Sequence, residues 1–519
     1  MARRGRRAGE RADGSLKMLF NSIDFLIFFP IVVMVYFILP ARIRYVWLLV
    51  SSYYFYMCWN PVYIILLLLS TAITWVCGCV TGGIRERSDL DEKKKKRRMK
   101  FVLAASFLAN IGILVYFKYT NFLVDTVNMA LRFLHLQALP TFDILLPVGI
   151  SFYTFQALGY TMDVYRGRIR AERNPAKYAL FVSFFPQLVA GPIERSENLL
   201  RQIHEEPAHK LWNYRRVTCG LTTMLWGFFL KVVIADRAAV LANTVFGSYE
   251  KYGMVGLSAG AIAFAFQIYC DFSGYSTIAI GAAQVLDFEL MENFNTPYFA
   301  EGIVDFWRRW HISLSTWFRD YLYIPLGGSR CGRLKRYRNI LITFAVSGLW
   351  HGADWTYVVW GLLHGIYQIA EKELAPVMKK IHALCHTRTE SFGYRLFRVL
   401  VTFSLVDLAW IFFRADSLHQ ALHYIRRMFT FRDWWSLFDQ SIYTLGLDVR
   451  EMHILFVGLL MLLLTELLRY KKKQTLAAFL EKQWIGFRWS VLLGLLFFCV
   501  IFGYYGPGFD SAQFIYFQF

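Results

Sequence analysis

Apolar stretches recur along the whole chain, and their length constrains the fold more than any other feature. An α-helix needs about 17–25 mostly apolar residues to cross the hydrocarbon core of a bilayer. The stretches lie near residues 19–39, 45–58, 62–81, 101–117, 143–163, 177–192, 217–246, 255–286, 339–370, 396–413, 451–469 and 486–505. Several contain Pro or Gly, and we expect these to be re-entrant rather than spanning. The sequence therefore predicts an all-α polytopic membrane protein.

The basic residues are concentrated in short loops beside these stretches. The formal net charge is +20, and runs such as RERSDLDEKKKKRRMK at residues 85–100, Arg330–Arg338 and Lys471–Lys473 carry much of it. Short Lys/Arg-rich loops are retained in the cytoplasm and attract anionic lipid head groups. We interpret the charge as a topology signal at a membrane surface, with a second use in attracting a phosphate-bearing donor. No nucleic-acid partner is predicted.

The first 17 residues are Arg-rich and lack an apolar core, so they are not a cleavable signal peptide. If residues 85–100 are cytoplasmic and three spans precede them, this basic start lies outside, against the usual charge bias. Two explanations stay open: Met18 is the native start, or residues 45–81 do not cross twice. We favour Met18. Residues 1–17 are then a basic tail, disordered or upstream of the start, and residues 18–519 form a single membrane domain.

The cysteine pattern does not predict a metal site. Of eight cysteines, Cys77 and Cys79 are the only close pair, and no second pair or His/Cys cluster completes a zinc set. Most of the cysteines fall in apolar segments, where a free thiol behaves as a small hydrophobe. We expect no structural metal and no disulfide framework.

Polar residues interrupt the middle of the chain in a way that a simple helical bundle does not need. Gln156, Asp163 and Arg166 follow one another within an apolar stretch, and two prolines exclude a regular helix in Phe184–Arg195. Non-helical backbone at membrane depth is tolerated only inside protein or beside water. The sequence therefore predicts a polar interior cavity.

The motif WRRWH places two arginines between tryptophans and ends at His311. Arg319 follows eight residues later on roughly the same helical face. Arg308 and Arg309 can recognise phosphate or carboxylate, or they can anchor a helix at the membrane surface. Asp271 can pair with these arginines or contact substrate, and His311 can serve structure or function. These alternatives stay open at the level of residue pattern.

The second motif, GLWHGAD, places His351 between glycines in an otherwise apolar run. We expect Gly348 and Gly352 to leave room for a substrate beside the imidazole. An imidazole can accept a hydroxyl proton near neutral pH, as acyl transfer requires. Asp354, three residues on, could orient the ring. His364 lies 13 residues on, roughly 20 Å along a continuous helix, so the two histidines are not expected to share a metal.

These motifs resemble those of a known family. WRRWHISLSTWFRDYLYIPLGG and GLWHGADWTYVVWGLLHG are similar to the membrane-bound O-acyltransferase (MBOAT) family, and the resemblance extends over residues 18–519. LPVGISFYTFQALGYTMDVYRG, FFPQLVAGPIER, GFFLKVVIADRAA, YCDFSGYSTIAIG and the terminal FIYFQF resemble its bacterial alginate O-acetyltransferase-like branch. The Arg-rich start and Asp354 are the departures.

The resemblance implies a multi-helix bundle with a central funnel or tunnel. It implies that His351 is catalytic and that His311 is the second functional histidine. An acyl group, acetyl in this branch, would pass from a cytoplasmic thioester donor, expected to be acetyl-CoA, to an extracytoplasmic polysaccharide. A separate SGNH-hydrolase-like partner outside the membrane and a place in the bacterial cytoplasmic membrane are also implied.

Two other functions remain as alternatives. One is D-alanyl transfer to teichoic acid from a carrier protein, which is a related acyl transfer. The other is a transporter or lipid flippase, whose central polar residues would bind cargo without making a bond.

The C-terminal sequence SAQFIYFQF is unusually aromatic for a chain end. It can act as an interfacial anchor, or the Tyr516 hydroxyl can act as a temporary acyl carrier. A phenol is far more acidic than a sugar alcohol, so its acetyl ester would retain much of the transfer potential of the thioester.

Overall fold

The computed structural model describes residues 18–189, 191–209 and 212–505. All regular secondary structure in these residues is helical. The basic tail 1–17 and Tyr516 lie outside the described residues, so the expectations about them stay predictions.

The α-helices of the described chain are α1 (Ile23–Ile38), α2 (Ala41–Met57), α3 (Ile64–Glu86), α4 (Glu92–Leu114), α5 (Thr120–Phe133), α6 (Ile150–Arg166), α7 (Pro175–Ser183), α8 (Phe185–Leu188), α9 (Ser196–Glu205), α10 (Tyr214–Phe228), α11 (Asp236–Gly247), α12 (Met254–Val285), α13 (Ile303–Arg309), α14 (Ile312–Phe318), α15 (Arg333–His351), α16 (Trp355–Leu384), α17 (Phe392–Arg414), α18 (Leu418–Thr430), α19 (Val449–Lys472), α20 (Leu476–Glu481) and α21 (Ile485–Phe502).

Seven helical stretches of the described chain are long and apolar enough to cross a membrane. They are Pro61–Glu86, Glu92–Phe133, Tyr214–Gly247, Met254–Val285, Phe392–Arg414, Val449–Lys472 and Ile485–Phe502. Backbone polar groups cannot be left unpaired in lipid, and a helix satisfies them within one segment. The protein is thus an all-α, multi-pass membrane protein, and the prediction of this fold class is confirmed.

Three of the expected spans, 143–163, 177–192 and 339–370, differ from the observed helices. The stretch 143–163 becomes helical only at Ile150, after Gly149, whose φ of +73° a side chain rarely adopts. The stretch 339–370 is not one helix, because α15 ends at His351 and α16 begins at Trp355. Phe184–Arg195 contains only the four-residue helix α8 among its described residues, as its two prolines predict.

The described chain packs as two compact units. One contains Leu221–Ile278 and the described residues from Glu292 onward, and the other contains the described residues up to Gly220 together with Ala279–Met291. Both predicted functional histidines belong to the first unit. Two of the three unit boundaries in the described chain fall inside helices, namely α10 and α12. The expected single membrane domain stays a prediction.

Helices α15 and α16 pack closely through glycines. A Cβ added at Gly361 would lie 2.1 Å from the carbonyl oxygen of Phe344, and one at Gly348 would lie 2.2 Å from that of Tyr357. Small residues let membrane helices approach until their backbones touch. This approach places the C-terminal end of α15, with His351, against the first turns of α16.

Candidate active site

His311 lies at a sharp corner between two short helices. α13 ends at Arg309 and α14 begins at Ile312, and His311 adopts the left-handed conformation with φ 43° and ψ 55°. Such a conformation costs about 1–3 kcal/mol for a residue other than glycine and persists only where its surroundings fix it. The His311 side chain is fully buried. The corner is therefore held by packing and by hydrogen bonds rather than by local preference.

His351 ends α15 and lies beside His311. The two imidazole ring centroids are 6.2 Å apart with an interplanar angle of 64°. The His351 side chain is 4% exposed. Aromatic rings surround it: Trp350, Trp360 and Phe413 have centroids within 4.9–5.4 Å. The structure thus brings together the two histidines that the sequence motifs single out.

A third histidine, His364 of α16, lies in the next layer. Trp360 separates it from His351, with 5.1 Å between ring centroids on each side. The indole Nε1 of Trp307 donates a hydrogen bond of 3.2 Å to Nδ1 of His364. The expectation of a continuous helix from His351 to His364 was wrong, because the chain turns between α15 and α16.

The glycines beside His351 serve helix packing. Gly348 touches the backbone of Tyr357, and a Cβ at Gly352 would lie 2.1 Å from the Tyr357 ring. The expectation that these glycines leave room for substrate was wrong, because α16 fills the space. Access to the imidazole must come from another direction.

A large cavity, which we call the basic cavity, lies within the same unit and has a volume of about 1620 Å³. Helices α13 to α17 supply most of its walls. Its charged lining residues are seven cations and three carboxylates: Arg308, Arg319, Arg336, Lys372, Lys379, Arg395, Arg398, Glu301, Glu371 and Glu390. The excess of cations suits an anionic ligand.

Ion pairs neutralise some of these cations. Arg395 pairs with Glu301 at 2.8 Å, and Arg319 pairs with Asp320 at 2.8 Å. Lys379 forms no ion pair with any described carboxylate. A cation without a carboxylate partner can bind an anionic ligand.

Two residues of the basic cavity wall lie close to the histidines in the sequence. Ser347 of its wall lies one helical turn before His351, and Ser315 lies one turn after His311. The C-terminal part of α16, as at Lys379, and the start of α17 line the same cavity. The wall of the cavity thus includes a residue within one helical turn of each histidine.

The arginines predicted from the sequence lie in different surroundings. Arg308 and Arg319 line the basic cavity. Arg309 instead pairs with Asp305 one turn earlier on α13, at 2.9 Å.

Of the two alternatives for Asp271, an ion pair with these arginines or contact with substrate, the structure shows an ion pair, but its partner is Lys231. The Lys231 Nζ lies 2.8 Å from an oxygen of Asp271 and 2.8 Å from one of Asp236, and all three side chains are buried. Breaking such a buried pair by removing one partner leaves a costly uncompensated charge. Asp271 therefore has a structural partner.

Asp354 caps a helix. Its Oδ1 accepts a 3.0 Å hydrogen bond from the backbone N–H of Thr356, which satisfies one of the free donors at the start of α16. An additional role in orienting His351 stays a prediction. No group of three or more His, Cys, Asp or Glu side chains in the described chain is placed to hold a metal.

Sequence reasoning missed the cations that α16 and α17 supply to the basic cavity. The sequence does contain a signal for two of these cations, because Lys372 and Lys379 are seven residues apart and therefore share one helical face. Arg398 lies on another helix, and only the fold shows that it faces the same space. The polar residues that hold the His311 corner were also missed.

Comparison with known proteins identifies the family. The sequence matches the profile of MBOAT, the membrane-bound O-acyltransferase family, over residues 168–406. It is 39% identical over 418 residues to a probable alginate O-acetylase of Pseudomonas syringae pv. tomato, covering 80% of this chain and 76% of that protein. The chain belongs to the MBOAT family. Both histidines lie within the matched region.

Other MBOAT relatives define the branch. The chain is 35% identical over 441 residues to a peptidoglycan O-acetyltransferase of Helicobacter pylori, covering 79% of this chain and 80% of that protein. It is 25% identical over 291 residues to a teichoic acid D-alanyltransferase of Bacillus subtilis, covering 54% and 71%. The protein is an O-acyltransferase of the alginate-like MBOAT branch, and the transporter or flippase alternative is not supported.

Proposed function

We propose that this MBOAT protein takes an acetyl group from cytoplasmic acetyl-CoA and passes it across the membrane for O-acetylation of an extracytoplasmic polysaccharide. The relatives named for acetyl transfer to alginate and to peptidoglycan support acetyl as the group and a polysaccharide as the final acceptor. The lower identity and coverage of the D-alanyltransferases make D-alanyl transfer the second candidate.

One observation carries the proposal: two buried imidazoles lie 6.2 Å apart, and each belongs to a residue within one helical turn of a residue that lines the basic cavity. His351 accepts the proton of an acceptor hydroxyl, and the oxygen attacks the thioester carbonyl carbon. The carbon–sulfur bond then breaks, and His351 gives the same proton to the leaving sulfur, so that coenzyme A departs as its thiol. His311 orients the reacting groups from the opposite side. Enclosure by aromatic rings excludes water, which would otherwise hydrolyse the thioester.

The basic cavity suits coenzyme A as donor. Typical small-molecule pockets have volumes of about 300–1000 Å³, and the basic cavity at about 1620 Å³ exceeds them. Phosphates would lie among Lys372, Lys379 and Arg398, and the acyl end would lie near Ser347. Arginine and lysine are the side chains that bind phosphate most readily in proteins. No bound metal or cofactor takes part in this scheme.

The proposed orientation places the donor end of the basic cavity in the cytoplasm. Arg336 of the Lys/Arg-rich segment Arg330–Arg338 lines this cavity, and Arg333 and Arg336 both pair with Glu373 of α16. The charge bias retains this segment inside. Acceptor chemistry then occurs outside the bacterial cytoplasmic membrane, where an SGNH-hydrolase-like partner would receive the acetyl group and pass it to the polymer.

Inside-out membrane vesicles test the proposal, because their cytoplasmic face is accessible. With [14C]acetyl-CoA outside, vesicles containing the wild-type protein should incorporate label into material within the lumen. His351→Gln should lower the rate by about 10²–10⁴-fold, the contribution typical of a general base. His419→Gln, at an exposed histidine of α18, is the matched control and should be without effect.

Two outcomes count against the proposal. Unchanged incorporation in His351→Gln would exclude this residue as the base. Incorporation from a D-alanyl carrier-protein thioester but not from acetyl-CoA would replace acetyl transfer by the second candidate.

A further inference from the structure

The segment Asn293–Thr296 lies against the corner that carries His311. The backbone N–H of Ile312 donates to the carbonyl of Asn293 at 2.9 Å, and the N–H of Asn295 donates to the carbonyl of Arg309 at 2.9 Å. These two bonds enclose the left-handed residue on both sides. The corner thus has a fixed backbone partner.

The Asn293 side chain adds a second layer of bonds. Its Oδ1 accepts the hydroxyl hydrogen of Ser313 at 2.6 Å, and its Nδ2 donates to Oγ of Ser276 at 2.9 Å. Ser313 stands two residues after His311, in the first turn of α14, and Ser276 lies on α12. One amide group therefore ties the histidine corner to a membrane-spanning helix.

The same helix also contacts the His311 ring. Phe272 lies one turn before Ser276 on α12, and its ring centroid is 4.6 Å from that of His311 in an edge-on arrangement. The hydrogen bonds of the Asn293 amide fix the position of the corner along α12, and the Phe272 ring packs against the His311 ring. The amide link acts on the backbone of the corner, and only Phe272 contacts the imidazole itself.

Burial makes this link stiff. Asn293 is 1% exposed, Ser276 is 2% exposed and Ser313 is fully buried. Water cannot replace a lost bond easily in such a place, and an unpaired buried amide is costly. A shift of the corner would change the distance between the two imidazoles.

We propose that Asn293 is a positioning residue, which fixes the His311 ring relative to His351 by bonding Ser313 and Ser276. The inference rests on the proposed function of the histidine pair and adds a residue to it. Asn293 touches neither imidazole in this scheme and acts through the corner alone.

The test measures acetyl transfer in the same inside-out vesicles over a range of acetyl-CoA concentrations. Asn293→Ala should lower kcat by about 10²-fold, the effect of roughly 1 Å of misplacement. The KM for acetyl-CoA should stay at the wild-type value, because Asn293 does not line the basic cavity. Ser313→Ala and Ser276→Ala each remove one of the two bonds and should give smaller losses of kcat.

Asn110 provides a matched control. It is a buried asparagine, 1% exposed, whose Oδ1 also accepts a serine hydroxyl at 2.6 Å, but it lies on α4 in the other unit. Asn110→Ala should lower thermal stability as much as Asn293→Ala does and leave kcat unchanged. The contrast separates loss of a buried amide from loss of positioning.

The outcomes are distinct. Wild-type kcat in Asn293→Ala, or a rise in KM equal to the fall in kcat, would overturn the inference. If Asn293→Ala fails to insert, wild-type kcat in both serine variants would overturn it instead. A wild-type protein that transfers no acetyl from acetyl-CoA refutes the proposed function itself, which the variants alone cannot do.

Discussion

His311 and His351 are separated by 40 residues in the sequence, yet their rings lie 6.2 Å apart. The position of each histidine has its own local cause. His311 occupies a left-handed corner, and His351 ends a helix that α16 holds through glycine contacts. Residue pattern alone singled out both side chains, because an ionisable group among apolar neighbours is rarely kept without a use.

At the residue scale, the unpaired cations of the basic cavity make a prediction about donor binding. Lys379→Gln or Arg398→Gln should raise the KM for acetyl-CoA by about fivefold each, since one exposed charge contact is worth about 1 kcal/mol. The kcat should hardly change, because neither residue is among the side chains that pack around the His351 ring. Initial rates in inside-out vesicles at several salt concentrations measure both quantities.

A control for this prediction is Lys93→Gln, which removes an exposed charge at the start of α4, outside the basic cavity. Its KM should equal that of the wild type. An unchanged KM in both cavity variants would place the phosphates of the donor elsewhere.

At the element scale, the α15–α16 pair depends on backbone contact. Gly361→Ala should destabilise the protein by about 1–3 kcal/mol, because a Cβ there would overlap the carbonyl of Phe344 and force the helices apart. The same movement would displace His351 and lower acetyl transfer. Thermal unfolding in detergent and the vesicle assay measure the two effects.

Gly494→Ala is the matched variant for this change. Gly494 lies within α21, where nothing stands within 4 Å of the added methyl group. Equal stability of the Gly361→Ala and Gly494→Ala variants would show that helices α15 and α16 accommodate the added methyl group without loss of folding free energy.

Also at the element scale, the basic loops predict the orientation of the chain. Because Lys/Arg-rich loops stay in the cytoplasm, single cysteines at Ser88 or Lys335 in a cysteine-free background should escape an impermeant thiol reagent in intact cells. A cysteine at Asp439 should react, since the single span Phe392–Arg414 separates its loop from the basic side. All three positions are exposed. Strong labelling at either basic loop would reverse the orientation and the donor side with it.

At the scale of the whole molecule, the acetyl group must travel from a cytoplasmic donor to an outside acceptor. Tyr516 lies outside the described residues, and its role as a temporary acyl carrier stays a prediction. If Tyr516 carries the acyl group, Tyr516→Phe should abolish polysaccharide acetylation in cells while protein levels stay normal. Phe517→Tyr, which keeps Tyr516, is the control. Normal acetylation in Tyr516→Phe would leave the C-terminus as an aromatic anchor only.

The sequence by itself determined the fold class and the family. Helical spans follow from the length of apolar runs, because lipid leaves the backbone no other partner. The histidines His311 and His351 and the cavity arginines Arg308 and Arg319 could be chosen from motifs, since charge and imidazole stand out in an apolar chain. Prolines also predicted the break in Phe184–Arg195. All of these signals are local.

Only the tertiary structure decided which groups meet. Asp271 bonds Lys231 rather than the arginines, Tyr357 fills the space beside the glycines, and Asn293 bonds the corner of His311. Such contacts join residues distant in sequence, and each depends on where two helices cross. A local pattern states what a side chain can do, whereas close packing of the whole chain selects the partner with which it does so.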